Sequence, residues 1–233
     1  VNTVKMIFSS PAIRSVSVRE RHEEFIKNFA VPSINKVEKV IDTAIWCNEC
    51  YSIKKASHFP YKTIGINVIN HKVLDNYYGI TSNNQIIDLY ILIYNRFTEQ
   101  GLNVYFFTNG VQHDETTLNQ IIRSIKNGEE KVLRPKVHGS GKEFVQMLTK
   151  FDFIISSRLH TSICCYSLEI PTIALPWDCK FIDFYTDTQQ LDRCYTLSNL
   201  EEDLFIKQIE DCIHKPYTSH KYDSYRNAVK NSL

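Results

Sequence analysis

A chain of 233 residues, 43% hydrophobic and 23% charged, has the composition of a protein that folds, with core enough for one domain and part of a second. Its formal net charge of +1 lacks the basic excess that displaces counterions from nucleic acid, so nucleic acid is excluded as a partner. No apolar run reaches the roughly 18 residues of a membrane span, and Val1-Asn2-Thr3-Val4-Lys5 does not begin a signal peptide; a cytoplasmic protein with no integral membrane segment is expected.

Seven cysteines, an odd number with several in apolar surroundings, fit a reducing compartment better than a disulfide framework. The first residue is Val1 rather than methionine, which reads as a processed, truncated or engineered start.

In chain order, residues 13–18 alternate as a strand, and residues 19–29 place Phe25, Ile26 and Phe29 at helical spacing, so a βα unit is predicted to open the chain. Residues 37–41 read as a second strand ending at Asp42. Periodicity then fades over 43–60, which contain Ser57 and Pro60, and a domain boundary is expected there. From Tyr61 the pattern is regular. Strands are predicted at 64–69, 104–107, 131–133, 153–155 and 172–175. Helices are predicted at 83–100, at 114–127 with Asp114 as its N-cap, and at 142–150; further helices run from Leu159 to about Glu169, over 180–186, and over 201–213.

Strands that alternate with helical crossovers specify an α/β protein with a doubly wound parallel sheet of Rossmann-like type. Three regions follow: 1–60, the end or remnant of a first α/β domain plus a linker; 61–215, a Rossmann-like donor-binding domain; and 216–233, a polar, tyrosine-rich tail that could dock as a helix.

In such sheets ligands collect beyond the carboxyl ends of the strands, where helix N-termini present unpaired N–H groups. Ser156-Ser157-Arg158-Leu159-His160 stands at such a turn. Arg158 carries a planar fork suited to phosphate or carboxylate, and His160 a titratable proton. The plainer alternative makes Arg158 the cap of a sheet edge and His160 a hydrogen-bonded residue at a helix start.

Arg158-Leu159-His160, the apolar helix 161–168, Ile170-Pro171-Thr172-Ile173-Ala174-Leu175, Trp177-Asp178, Lys180 and Phe184 together resemble the C-terminal signature of the polysaccharide pyruvyl transferase family. Upstream, Ser15-Val16-Ser17-Val18-Arg19-Glu20 and Ile41-Asp42-Thr43-Ala44 are similar to further segments of that family. The resemblance implies the C-terminal half of a two-domain scaffold of glycosyltransferase-B type. It implies transfer of a pyruvyl group from phosphoenolpyruvate, a donor substrate rather than a cofactor, to a saccharide acceptor in bacterial surface or capsular polysaccharide synthesis. A lipid-linked acceptor would bring the protein to the inner membrane as a peripheral one.

By that resemblance Arg158 binds a donor anion, His160 is the general acid, and Leu159 shares the binding turn. Lys180 and Arg19 are secondary cations, each also readable as a solvated charge. Asp178 and Asp42 could serve acceptor hydroxyls, or simply cap turns. Members of the family are longer, so most of a first domain is expected to be missing. That leaves a fragment, a degenerate product, or a module that binds donor without turnover. The rival enzyme is a nucleotide-sugar glycosyltransferase of similar fold.

Three other motifs stand outside that resemblance. Cys47-Asn48-Glu49-Cys50 has metal or redox spacing but no second pair, and no metal site is expected. Cys164 and Cys165 read as core residues. His138-Gly139-Ser140-Gly141-Lys142 resembles a phosphate loop but lacks the first glycine and the hydroxyl residue of a Walker A sequence. It reads as a helix opening, with Ser140 as a ligand contact.

Overall fold

The computed structural model describes residues 2–13, 15–19, 21–29, 36–55, 59–81 and 84–217. Arg14 of the first predicted strand, Glu20, Ser57, residue 83 of the long predicted helix and residues 218–233 of the predicted tail lie outside the described residues. The described residues divide into two compact units, one up to Thr43 and the other from Ala44 onward.

In the first unit, helix α1 (Asn2–Phe8) precedes strand β1 (Ser15–Val18), helix α2 (His22–Phe29) and strand β2 (Lys36–Lys39). The predicted βα opening is therefore preceded by a helix. Strands β1 and β2 pair in parallel, with Ser15 opposite Lys36 and Val18 opposite Lys39. The helices meet through Phe8 and Phe25, whose rings stand edge to face at 5.3 Å.

The second unit starts within the segment expected as a boundary. A 3-10 turn (Thr43–Trp46) and the short helix α3 (Cys47–Cys50) bury Ile45 and Cys47, and Cys47 joins a core cluster with Val145, Cys164 and Leu168. Elements this short show no period in sequence, yet their apolar side chains fix them to the larger unit.

Strands β3 (Thr63–Asn67), β4 (Asn103–Phe107), β5 (Phe153–Ser156) and β6 (Thr172–Ala174) form a fully parallel sheet in the order β4-β3-β5-β6. Helices α4 (His71–Tyr78), α5 (Gln85–Glu99), α6 (Gln112–Arg123), α7 (Gly141–Leu148), α8 (Leu159–Ser167), α9 (Cys179–Asp187) and α10 (Glu202–Ile213) complete the unit. Successive side chains of a strand point to opposite faces, so Phe153 and Ile155 pack with residues of α5, α6 and α10. Ile154 packs with α7 and α8. Both faces are covered, which is why β5 reads as a continuous apolar run.

Gly65 in β3 faces the second layer. A Cβ there would lie 2.9 Å from Phe151 and 3.0 Å from Phe107, whose rings stack at 5.1 Å.

The strand predicted at 131–133 is replaced by a 3-10 turn (Gly128–Lys131) and one bridge between Phe106 and Val132. Asn127 takes a left-handed conformation (φ 55°), Gly128 lies against the Ile122 carbonyl, and Pro135 offers no N–H, so the chain touches β4 once and leaves. Helix α4 was not predicted; Asn70 caps its start by accepting from Lys72 N–H at 3.0 Å, and Gly79 ends it at φ 65°. Among the described residues no helix is long and apolar enough to cross a membrane.

A candidate ligand crevice at the switch point of the sheet

The first two strands of the larger sheet, β3 and β4, run to one side, and β5 and β6 lie on the other. Their crossovers therefore leave in opposite directions between β3 and β5, the point at which doubly wound sheets characteristically form a crevice at the carboxyl ends of their strands. Asn67 ends β3 and Ser156 ends β5. Asn67 Nδ2 and Thr161 Oγ1 both donate to Asn109 Oδ1 at 2.9 Å. Asn67 is fully buried, and its Oδ1 has no hydrogen-bond partner among the described residues. Ser156 Oγ donates to the Arg158 carbonyl at 2.9 Å and accepts from Ser162 Oγ at 3.0 Å, which fixes the turn from strand to helix. Below it, the Tyr90 hydroxyl lies 3.0 Å from Ser157 Oγ, and burial pushes that phenol up to about 12, so it stays protonated.

Arg158 takes the N-cap position of α8 in an extended conformation, with its carbonyl accepting from Thr161 and Ser162 N–H at 3.0 and 3.2 Å. Its side chain is held by Asp114, a residue with no solvent exposure: Nε donates to Oδ2 at 3.0 Å, and Nη2 lies 2.7 and 2.8 Å from the two carboxylate oxygens. Asp114 Oδ1 also accepts from Asn70 N–H at 2.9 Å. On another side the guanidinium lies 5.8 Å from the Trp177 ring centre, and Trp177 Nε1 donates to the Ser157 carbonyl at 3.0 Å. The Nε edge of the fork is thus occupied from within, and Nη1 lies outside the pair.

Asp114 is not the N-cap of α6. The helix starts earlier, after Val111, and this places the carboxylate in the first turn, directed at Arg158.

Leu159 and His160 are the first residues of α8. Leu159 is half-buried against the cluster of Ala174, Phe181, Tyr185 and Cys194, and His160 is exposed. Asp178 caps α9, accepting from Lys180 N–H at 3.0 Å, and Lys180 Nζ stands 4.0 Å from Asp178 Oδ2. The turn expected to bind ligand and the Trp177-Asp178-Lys180 segment are therefore neighbours, joined through Trp177.

Ser140 caps α7, accepting from Glu143 N–H at 3.3 Å, and it lines a separate cleft of about 370 Å3 beyond β4. Arg19 and Asp42 pair with one another in the first unit. Among the described residues no group of three or more His, Cys, Asp or Glu could hold a metal. Cys47 is buried and Cys50 exposed, and all seven cysteines are unbridged.

Sequence reasoning missed Asp114 as the partner of Arg158 and missed Asn109 as the hub of the crevice. Its position before an apolar stripe marks Asp114 as a cap residue, whereas its pairing depends on a contact across 44 positions.

A family model described as polysaccharide pyruvyl transferase matches residues 2–178. No curated protein matches the chain. Among solved structures, the N-terminal domain of Candida albicans trehalose-6-phosphate phosphatase is similar, with a TM-score of 0.46 at 15% identity. That match covers 94% of this chain and 54% of the other, so the chain spans about half that structure's length.

Proposed function

The chain belongs to the polysaccharide pyruvyl transferase family, and from that premise we propose that it transfers the pyruvyl group of phosphoenolpyruvate to a saccharide, closing a ketal in the synthesis of a bacterial surface or capsular polysaccharide. One acid protonates the methylene carbon of the donor. A sugar hydroxyl bonds to the adjacent carbon and releases its proton, then a second hydroxyl bonds there as phosphate departs. The proton of the second hydroxyl leaves with the phosphate, so the donor and two hydroxyls balance against the ketal and phosphate without an oxidant.

The observation that carries the reading is the turn at the switch point, where Arg158 is locked by Asp114 with Nη1 outside the pair. A guanidinium held in this way would meet a donor anion with little reorganisation as phosphate charge develops. His160, exposed two residues on, would supply the proton, and Leu159 would back the donor. Lys180 would be a further cation for carboxylate or phosphate, with Asp178 holding the N-terminus of α9. The whole protein would adopt a glycosyltransferase-B-like architecture and act in the cytoplasm, at the inner membrane where its acceptor is lipid-linked.

The test is calorimetric titration with phosphoenolpyruvate, followed by phosphate release in the presence of candidate acceptors. Binding should be saturable in the parent and lost in Arg158→Ala. At saturating donor His160→Ala should lose about 100- to 10,000-fold in turnover; a loss of only a few-fold would remove the acid role.

A further inference from the structure

The cleft beyond β4 is distinct from the Arg158 turn but lies along the same end of the sheet. It is walled by Thr108, Asn109 and Gly110 on one side and by the loop from Leu133 to Gly141 on the other, with Phe144 behind. Asn109 belongs to both places, since it lines the cleft and accepts from Asn67 and Thr161.

The charge of the lining is one-sided. Arg134, Lys136 and His138 contribute cationic or protonatable groups, and Glu115 is the carboxylate among the lining residues. Both of its oxygens are engaged, one by Arg134 at 2.5 Å and the other by the Thr108 hydroxyl. The Arg134–Glu115 pair is close to neutral, so Lys136 remains as the excess positive charge, with the imidazole of His138 beside it as a hydrogen-bonding group, and both are exposed.

Glycine makes up much of the rest of the lining, with the Tyr51 hydroxyl against Gly141 and the His138 ring against Gly110. Three of the chain's seven glycines, Gly110, Gly139 and Gly141, line the cleft. At Gly139 (φ 78°) an added Cβ would meet nothing within 4 Å. A ligand can therefore approach the backbone at Gly139. Leu133, Pro135 and the ring of Phe144 supply an apolar face. A volume of about 370 Å3 exceeds what a three-carbon phosphoester fills and suits a ring as well as a phosphate.

We propose that this cleft binds the phosphate-linked end of the acceptor, a hexose joined to a phosphate or diphosphate, with Lys136 and His138 on the phosphate and the sugar ring against Phe144. That the ligand is the acceptor rests on the pyruvyl-transfer reading; that it is a sugar phosphate rests on the cleft alone. Lipid-linked and nucleotide-linked sugars share the recognised chemistry.

The full-length chain is titrated with glucose 1-phosphate, inorganic pyrophosphate, free glucose and phosphoenolpyruvate, in the parent and in the double variant Lys136→Gln/His138→Gln. Both positions are exposed, and matching thermal midpoints would verify the fold. Glucose 1-phosphate should bind more tightly than glucose and lose at least about tenfold in the variant, one tenfold step being about 1.4 kcal/mol. Phosphoenolpyruvate affinity should change by less than about threefold, a difference of about 0.7 kcal/mol. UDP-glucose and a farnesyl-diphosphate-linked glucose then separate the two sources, and a gain over glucose 1-phosphate that the variant abolishes supports the cleft in either arm.

Two results overturn the proposal: glucose 1-phosphate binding no better than glucose, or phosphoenolpyruvate competing for the cleft and weakening equally in the variant. Glucose 1-phosphate binding to a folded parent that ignores phosphoenolpyruvate would keep the sugar-phosphate cleft and refute the pyruvyl-transfer reading instead.

Discussion

Removing Asp114 tests the geometry of the crevice most directly. The carboxylate is fully buried and receives Arg158 Nε, Arg158 Nη2 and the Asn70 N–H, so Asp114→Ala strips the acceptor from all of them. Breaking a buried ion pair from one side costs about 3–5 kcal/mol when the remaining charge stays dry. The Arg158 side chain keeps 22% exposure, so water recovers part of its loss and the effect falls near the lower bound. The unsatisfied Asn70 N–H adds about 1 kcal/mol. Asp114→Ala should therefore lose about 3–4 kcal/mol, and Asp114→Asn, which keeps the shape and one acceptor oxygen, about 1–2 kcal/mol. Arg158→Ala strands the drier partner and should cost as much as Asp114→Ala. The double variant should cost less than the sum by about 1–3 kcal/mol, since each single change leaves the other charge unmatched. Urea unfolding followed by tryptophan fluorescence is the assay: both tryptophans, Trp46 and Trp177, lie in the second unit and report its transition. Additive losses, or an Asp114→Ala variant within about 0.5 kcal/mol of the parent, would refute the buried-pair account.

Further outcomes follow from packing and burial. Gly65→Ala pushes a methyl group against Phe151 and Phe107 and should destabilise the second unit by about 1–3 kcal/mol, read from the same urea midpoints. Burial raises the Tyr90 phenol to about 12 from a usual value of 10, so the folded state favours the protonated form. Its contribution is fully present below pH 10 and lost as pH rises through 12, giving a fall of about 2–3 kcal/mol from pH 9 to pH 12 that Tyr90→Phe should flatten. Ellman titration of the native protein should label exposed Cys50 first and half-buried Cys179 next. Cys165 and Cys194, whose thiols are pushed up by burial, the latter to about 12, should react only on unfolding; rapid release from all seven thiols would contradict the packed core.

What was legible in the sequence was whatever repeats locally. The apolar run of β5, the stripes of α5 and α10 and the breaker at Pro171 each carry their period or stop within a few residues, and the parallel α/β sheet follows from their alternation. Helix α4 was hidden because it buries only Leu74 and Tyr78, although Asn70 and Gly79 mark its ends as cap residues should. Residues 131–133 misled in the other direction: Val132 and Leu133 look like a strand, but the left-handed Asn127 and the crowded Gly128 commit the chain to a turn. The Arg-Leu-His turn was legible as a strand-to-helix junction, whereas the partner of its arginine was not. Asp114 and Arg158 meet only because the sheet order brings α6 beside the end of β5.

That meeting depends on where α6 begins. With Val111 at its cap, Asp114 and Glu115 fall side by side in the first turn, and neighbouring helical residues diverge by about 100° around the axis. Asp114 therefore reaches into the crevice toward Arg158 and Asn70, while Glu115 reaches into the cleft toward Arg134 and Thr108. Two adjacent carboxylates anchor two arginines that come from different loops, and each is matched by a single charge rather than competing for both. A helix starting at Asp114 would have turned that carboxylate back onto its own backbone N–H groups, leaving Arg158 without its buried acceptor. One turn of helix thus separates the two places and gives each a fixed pair, Asp114 with Arg158 in one and Glu115 with Arg134 in the other.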